Sequence, residues 1–421
     1  MKKVIHISLF ILSIILFNCN SKSVKIKDNN ESLELSISNN QNTFINIGNN
    51  DSYDDSSFKM LDENLTSSNK VLWYNNSPYV IGSEKYSNKF GGDMLLIKLD
   101  NYNKVEWRKK YKENSIEFFD HLNISTDNNI ILSGVTRNYN SKTNDAFLIK
   151  VKNNGEKIWS CTYGYNENNE YDTANEFIEL KDGSIISIGI NSPANSISKS
   201  YLFLAHIDKN GKVLTKKSID KNGILVGNSI VKNESEEIIF ISTLKDEKTN
   251  NIDLHVSCYD TKFNELWSKN LGETSESRRN NIVNMGNDNF LIMNSNPTKL
   301  IKINGKGNIE WEKEYELAEE NVLSGISGIF IKKTGNNEYI LSCEKRIITS
   351  GVQTKSLLIK LDETGKIIWN KEFGSKDMSY IFDITKINNS EYLGVGFTAD
   401  LESSEKSKSI LVSIDLNGNP N

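Results

Sequence analysis

The chain has 421 residues, of which 25% are charged, and a formal charge of −5. A small acidic excess without a long basic run excludes nucleic acid as the natural partner. With only 37% hydrophobic residues and four prolines, the sequence describes a polar-surfaced, turn-rich protein whose core must come from short strands stacked on one another.

At the N-terminus a basic head, Met1-Lys2-Lys3, precedes the almost wholly apolar run Val4 to Phe17. That run falls short of the ~20 residues needed to cross a bilayer, so residues 1–18 read as an export signal. Leu16-Phe17-Asn18-Cys19 resembles the lipobox of bacterial lipoproteins, with Leu16 at the first position and Cys19 at the modified one. The resemblance implies cleavage before Cys19, lipid chains on that cysteine, and a protein anchored to the bacterial outer membrane without spanning it. Asn20 to Lys25 contains no acidic residue, which favours the periplasm-facing side over the cell surface. Residues 19–31 then form a polar tether. Residues 32–66 form a linker holding two strand-like segments, Ser32 to Ile37 and Thr43 to Ile47, one of which is expected to close the fold.

From residue 67 onward one motif returns seven times: an apolar strand, a tight polar turn, and a strand that usually begins with Trp. Its instances end at Asp100, Lys152, Asp208, Asp260, Asn304, Asp362 and Asp415, and Trp107, Trp159, Trp267, Trp311 and Trp369 open five of the following strands. Steps of 44 to 58 residues belong to repeat architectures. The third period resolves into four strands, Asn175 to Leu180, Ser184 to Gly189, Tyr201 to Asp208 and Lys212 to Ser218, with turns at Lys181-Asp182-Gly183 and Lys209-Asn210-Gly211. Four short strands cannot bury both faces of their sheet alone. Stacked around an axis, each sheet covers the next. The expectation is an all-β fold, a seven-bladed β-propeller of four-stranded antiparallel blades over residues 67–421, with eight blades as the alternative count.

The continuous apolar third strands (Phe147-Leu148-Ile149, Leu357-Leu358-Ile359) suit strands covered on both sides. The fourth strands alternate, as in Trp267-Lys269-Leu271 and Trp369-Lys371-Phe373, which places Trp and a second apolar residue on one face against the adjacent blade. Asp-x-x-Gly at 208–211, 362–365 and 415–418 fits type I turns closed by a glycine with positive φ, and lacks the further spaced carboxylates of a calcium loop. The last repeat supplies only three strands before the chain ends. The missing outer strand is therefore expected from the N-terminal segment, pairing with Ser409 to Asp415.

In such a meander the short turns lie on one face and the long, irregular loops on the other. Variable loops on a rigid scaffold are where binding concentrates. Tyr86, Phe90, Tyr139, Tyr165, Tyr171, Arg278, Arg279 and Arg346 are the candidate binding residues there, because aromatics and Arg dominate interface energies. Cys161, Cys258 and Cys343 fall on strands and read as buried apolar residues. His121, His206 and His255 show no metal-binding spacing, and no nucleophile elbow or phosphate loop is present. No catalytic residue, cofactor or metal is expected.

Leu358-Ile359-Lys360-Leu361-Asp362-Glu363-Thr364-Gly365-Lys366-Ile367-Ile368-Trp369 resembles the repeat of quinoprotein-type propellers, over roughly residues 68 to 418. The resemblance implies the propeller fold. The alcohol dehydrogenases of that group hold a calcium-bound quinone over adjacent cysteines, and no two cysteines adjoin here. In anchor and repeat the chain is also similar to the propeller lipoprotein of the outer-membrane β-barrel assembly machinery, which binds a protein partner. The sequence thus points to a monomeric, lipid-anchored, non-enzymatic interaction module whose partner is an envelope protein. The alternative is a glycan-binding or glycan-cleaving propeller.

Overall fold

A computed structural model describes residues 43–421 except 49–50, 85–93, 112–114, 139–143, 165–169, 194–198, 222, 276–278, 318–322, 349–351, 375–377, 388 and 401–406. Residues 43–421 form one compact all-β unit, a β-propeller. The first repeat folds as the antiparallel meander Leu65–Tyr74, Ser77–Glu84, Met94–Leu99 and Val105–Lys109. The second (Ser115–Ile124 to Lys157–Tyr163), third (Glu170–Asp172 to Val213–Ile219), fourth (Gly223–Lys232 to Glu265–Glu273) and fifth (Asn281–Gly286 to Ile309–Leu317) follow the same order, each as a separate sheet.

The last two repeats share one nine-stranded sheet. Its first part runs from Leu323–Gly335 through Ile367–Phe373 and its second from Met378–Ile387 through Lys408–Asp415, joined by a single parallel pair, Thr354 with Met378. The sheet curls on itself. Ile340 and Leu358 of its first part pack against Ile381, Tyr392 and Val412 of the second, and all five are essentially sealed from water.

Equivalent apolar clusters join each repeat to the next. Val80, Leu95 and Ile97 of the first sheet pack on Leu393, Val395 and Leu411 of the last strands, so the end of the chain meets its beginning. The apolar third strands lie in the middle of these layers: Leu148, Ile149, Leu204, Leu358 and Ile359 are fully buried. Burial on both faces explains why these strands do not alternate.

Where Asp or Asn opens the turn before a fourth strand, its side chain makes the same hydrogen bonds. Asp208 Oδ1 accepts from the backbone N–H groups of Asn210 and Lys212, and Asp362 Oδ1 from those of Thr364 and Lys366. Against the opposing effect of burial, those bonds hold the Asp362 carboxyl below the usual range. The carboxylate therefore serves its own turn. Gly155, Gly307 and Gly418 have φ of 78°, 74° and 84°, and each lies beneath a Trp of the preceding repeat: Trp107, Trp267 and Trp369 respectively.

Closure departs from the expectation. Thr43–Ile47 does not pair with the final strand but adds in parallel to Ile309–Leu317, the outer strand of the fifth sheet. Asp51–Tyr53 adds in parallel to Ile367–Phe373. Lys59–Met60 makes the closing pairs, antiparallel with Leu411 and Ile410, and Leu61 N–H donates to Ser409 O at 3.1 Å. The N-terminal stretch thus edges three successive outer strands. Its short alternating pieces gave no signal of which strand each would meet, since outer strands are alike in pattern. Ser32 to Ile37 lies outside the described residues, as do residues 1–31 with Cys19. Among the described residues no helix is long and apolar enough to cross a membrane.

Candidate functional site: an axial cavity

The first strand of every repeat borders one cavity of about 400 Å³, lined among others by Asn69, Asp120, Thr173, Asn228, Asn280, Ile329 and Phe382. These side chains reach the axis because the inner strands are kinked at the same place. Pairing with the second strand slips between Ser68 and Lys70, Phe119 and His121, Gly227 and Ser229, Gly328 and Phe330, and Ile381 and Asp383. The residue skipped in each case is Asn69, Asp120, Asn228, Ile329 or Phe382. A β-bulge turns one extra side chain out of the ladder, and here it is turned inward. In the third repeat the ladder is broken instead, between Glu170–Asp172 and Glu176–Glu179.

A neighbouring side chain, in the fourth and seventh repeats that of the residue after the bulge, crosses to the next repeat. Ile230 N–H donates to Glu176 Oε2 (3.1 Å), Ile282 N–H to Ser229 Oγ (3.3 Å), Ile331 N–H to Asn281 Oδ1 (2.9 Å) and Val71 N–H to Asp383 Oδ2 (3.0 Å). Asn281 Nδ2 returns a bond to Ile331 O at 2.9 Å. Buried backbone donors need partners, and the inner strands, splayed from one another around the axis, find them in these side chains. The Asp383–Val71 bond joins the last repeat to the first. Lys332 Nζ completes that junction, 3.0 and 3.1 Å from the two Asp383 oxygens and 3.3 Å from Val71 O.

His121 and Glu176 meet in the cavity wall, with Nδ1 3.7 Å from Oε1 and the imidazole edge-on to Phe177 at 5.2 Å. Burial, helped by the Lys70 charge, lowers the His121 pKa to about 3. Burial also raises that of Glu176, against hydrogen bonds from Ser229 and Ile230. Both groups are pushed toward their neutral forms.

At the long-loop end of the cavity Glu344, a buried carboxylate, holds two of the sequence-derived candidates. Arg279 Nη1 donates to its Oε2 at 2.9 Å and Arg346 Nη2 to its Oε1 at 2.7 Å. Arg279 also lies 6.0 Å from the Tyr380 ring, which stacks on Phe382 (5.6 Å) and Phe397 (5.1 Å). The structure therefore brings Arg279 and Arg346 together and leaves Tyr171 apart, in a short strand paired with Asn191, Ser192 and Pro193. Arg346 is not on a loop: Glu338–Ile348 and Val352–Asp362 extend their hairpin almost to its tip. Tyr86, Phe90, Tyr139, Tyr165 and Arg278 lie outside the described residues.

The axial residues were missed because each is a single side chain from a different repeat. A signal did exist: a glycine inside the second strand, where glycine marks a bulge or close backbone approach. A β-carbon on Gly134 would collide with Phe118 O and one on Gly396 with Tyr380 O, the backbone just before the bulged residue. His206 Nε2 lies 2.9 Å from Ser184 Oγ of its own repeat. Cys161, Cys258 and Cys343 are buried and unpaired. Burial raises the first two thiols to about 11 and about 12. Among the described residues no three His, Cys, Asp or Glu side chains are grouped to hold a metal.

No family model matches the chain, and no curated protein matches it. Solved structures do. A puromycin hydrolase (S511A mutant, complexed with PGG) superposes with a TM-score of 0.54 at 9% identity, covering 84% of this chain and 53% of that one. This chain therefore spans about half the length of that hydrolase. A protein of unknown function from Bacteroides caccae (TM-score 0.42, 13% identity, 70% and 95% covered) and an α-L-arabinanase from Penicillium chrysogenum complexed with arabinobiose (0.46, 9%, 73% and 97%) are also similar. At 9% identity the likeness to the hydrolase bears on the propeller fold alone.

Proposed function

We propose that the protein is a seven-bladed, quinoprotein-like propeller, lipid-anchored through Cys19 to the periplasmic side of the outer membrane. It acts as a monomeric, non-enzymatic scaffold for an envelope protein. Seven inner strands around one cavity, with apolar clusters between successive repeats, support the blade count. The commitment of Glu176 and Asp383 to backbone donors of the next inner strand supports a structural use of the axial carboxylates.

The observation that carries the scaffold reading is the patch at the cavity's long-loop end. There Glu344 fixes two guanidiniums beside the Tyr380–Phe397 stack, and the Arg346 side chain is 58% exposed. Arginine and aromatic side chains held rigid are the usual anchors of a protein interface. A photo-crosslinking residue in place of the exposed Ile348, two residues along the same strand, irradiated in intact cells, is expected to capture a discrete envelope protein. Arg279→Glu combined with Arg346→Glu is expected to abolish that adduct. An adduct unaffected by the double change, or none at all, overturns the reading. Cys19→Ser is expected to release the protein from the membrane fraction.

A second reading, glycan binding, is favoured by one feature: the same aromatic stack continues through Phe382 into the axial cavity.

A further inference from the structure

We propose that the axial cavity binds one or two rings of a neutral saccharide, an inference that rests on the glycan reading and gives it a site and a ligand class. The cavity wall has two unlike sectors. On the side of the last two repeats it is apolar: Ile329, Phe330 and Phe382 line it, and Phe382 is backed by Tyr380 at 5.6 Å and Phe397 at 5.5 Å. The rest of the wall is mixed but carries the polar groups: Asn69 from the adjoining first repeat, Asp120 and Thr173 from the second and third, and Asn228 and Asn280 from the fourth and fifth, with Phe119 and Val135 among them. A sugar ring has the same division, with C–H groups on one face that pack on an aromatic ring and hydroxyls around its edge that both donate and accept.

Charge decides against an ionic ligand. Lys70 and Asp120 line the cavity with opposite signs, Arg279 is already bound by Glu344, and Glu176 is pushed toward its neutral form, so neither sign is in excess. A charged guest would find no excess of the opposite sign there, and taking its charge out of water needs a dedicated counter-ion. A hydroxyl pairs with either sign. Size agrees: about 400 Å³ lies at the lower end of small-molecule pockets, which run from about 300 Å³ upward. It admits a ring or two and no folded partner.

The five bulges give this assignment its force. A propeller can be closed without turning side chains inward, as the inter-repeat bonds use Glu176, Ser229, Asn281 and Asp383, none of them a bulged residue. The bulged residues themselves are what the distortion adds, and they furnish both sectors.

The test uses the purified full-length protein and a panel of methyl glycosides of glucose, galactose, xylose and N-acetylglucosamine with their disaccharides. Glucuronate and glucosamine serve as charged counterparts, and binding is read by saturation-transfer NMR and calorimetry. At least one neutral member is expected to bind in preference to a charged counterpart. Phe382→Ala and Asn69→Ala are each expected to weaken it about tenfold or more, a change of about 1.4 kcal/mol. Asn69→Ala removes no apolar contact and decides the matter where Phe382→Ala perturbs folding. If no neutral saccharide binds, the cavity assignment and the glycan reading both fall. If one binds but neither substitution weakens it, or a charged sugar is preferred, the cavity assignment alone falls and glycan binding belongs to another face.

Discussion

The indole of Trp159 lies directly over Gly211 of the following repeat. A β-carbon at Gly211 would stand 2.8 Å from the indole Cε3, while Trp159 Nε1 donates to Lys209 O at 3.0 Å. The turn glycine therefore has two reasons to be glycine: a φ of 86°, and a neighbour that leaves no room for a side chain. Gly211→Ala is expected to lower stability by about 1–3 kcal/mol, measured by denaturant unfolding. A loss below a few tenths would show that the indole moves freely and does not pin the repeats together.

One repeat reverses the arrangement. Leu214 stands where the other fourth strands have Trp, and the turn it would cover carries Phe263 in place of glycine, fully buried at φ 65°. The aromatic ring is supplied by the turn instead of the strand. Leu214→Trp and Phe263→Gly should each destabilise the protein, the second by about 3–5 kcal/mol as for loss of a buried Phe. Together they should recover more than about 1 kcal/mol of the summed loss. Strict additivity in a double-mutant cycle would refute the exchange.

Asp383 joins the two ends of the ring. Its buried carboxylate accepts from Val71 N–H and from Lys332, so Asp383→Ala leaves a cation and a backbone donor without their partner. A loss of about 3 kcal/mol or more is expected, with Asp383→Asn costing less because the amide oxygen still accepts from Val71. If both variants unfold at the wild-type midpoint, the closure does not depend on this bond.

The N-terminal edging strands should matter in proportion to the backbone pairs they make. Removing residues 43–60 strips partners from three outer strands and buried Ile47 from the fifth-to-sixth cluster. The melting temperature is expected to fall by at least about 4 °C, the equivalent of roughly 3 kcal/mol in a chain of this size. An unchanged value would mean that the strands are ornamental.

Acid should loosen the inner ring through His121. Its folded pKa, about 3, lies below the ordinary value near 6.5, so the unfolded chain binds the extra proton first. Its contribution is complete above pH 6.5 and is lost as pH falls toward 3. Glu176, raised by burial, acts with the opposite sign, contributing most below its ordinary range and losing that contribution as pH rises through it. His121→Gln is therefore expected to flatten the fall of stability between pH 6.5 and 4.5 by about 1–3 kcal/mol. A variant whose pH profile parallels the wild type would show that folding does not shift the His121 pKa.

The architecture was legible in the sequence because its causes are local and repeated. An Asp-x-x-Gly turn closes on its own backbone, a third strand buried on both faces loses alternation, and a Trp recurs wherever a turn glycine waits in the next repeat. What the sequence could not assign was which edge Thr43–Ile47 would join, that Lys59–Met60 would close the ring, and that Arg279 and Arg346 share Glu344. Each of these depends on which surfaces meet after the ring forms, and an outer strand offers the same unpaired groups in any repeat. The cavity is tertiary for the same reason. Asn69, Asp120 and Phe382 are three isolated residues scattered along the chain, and only the bulges and the closure of the ring turn them toward one axis.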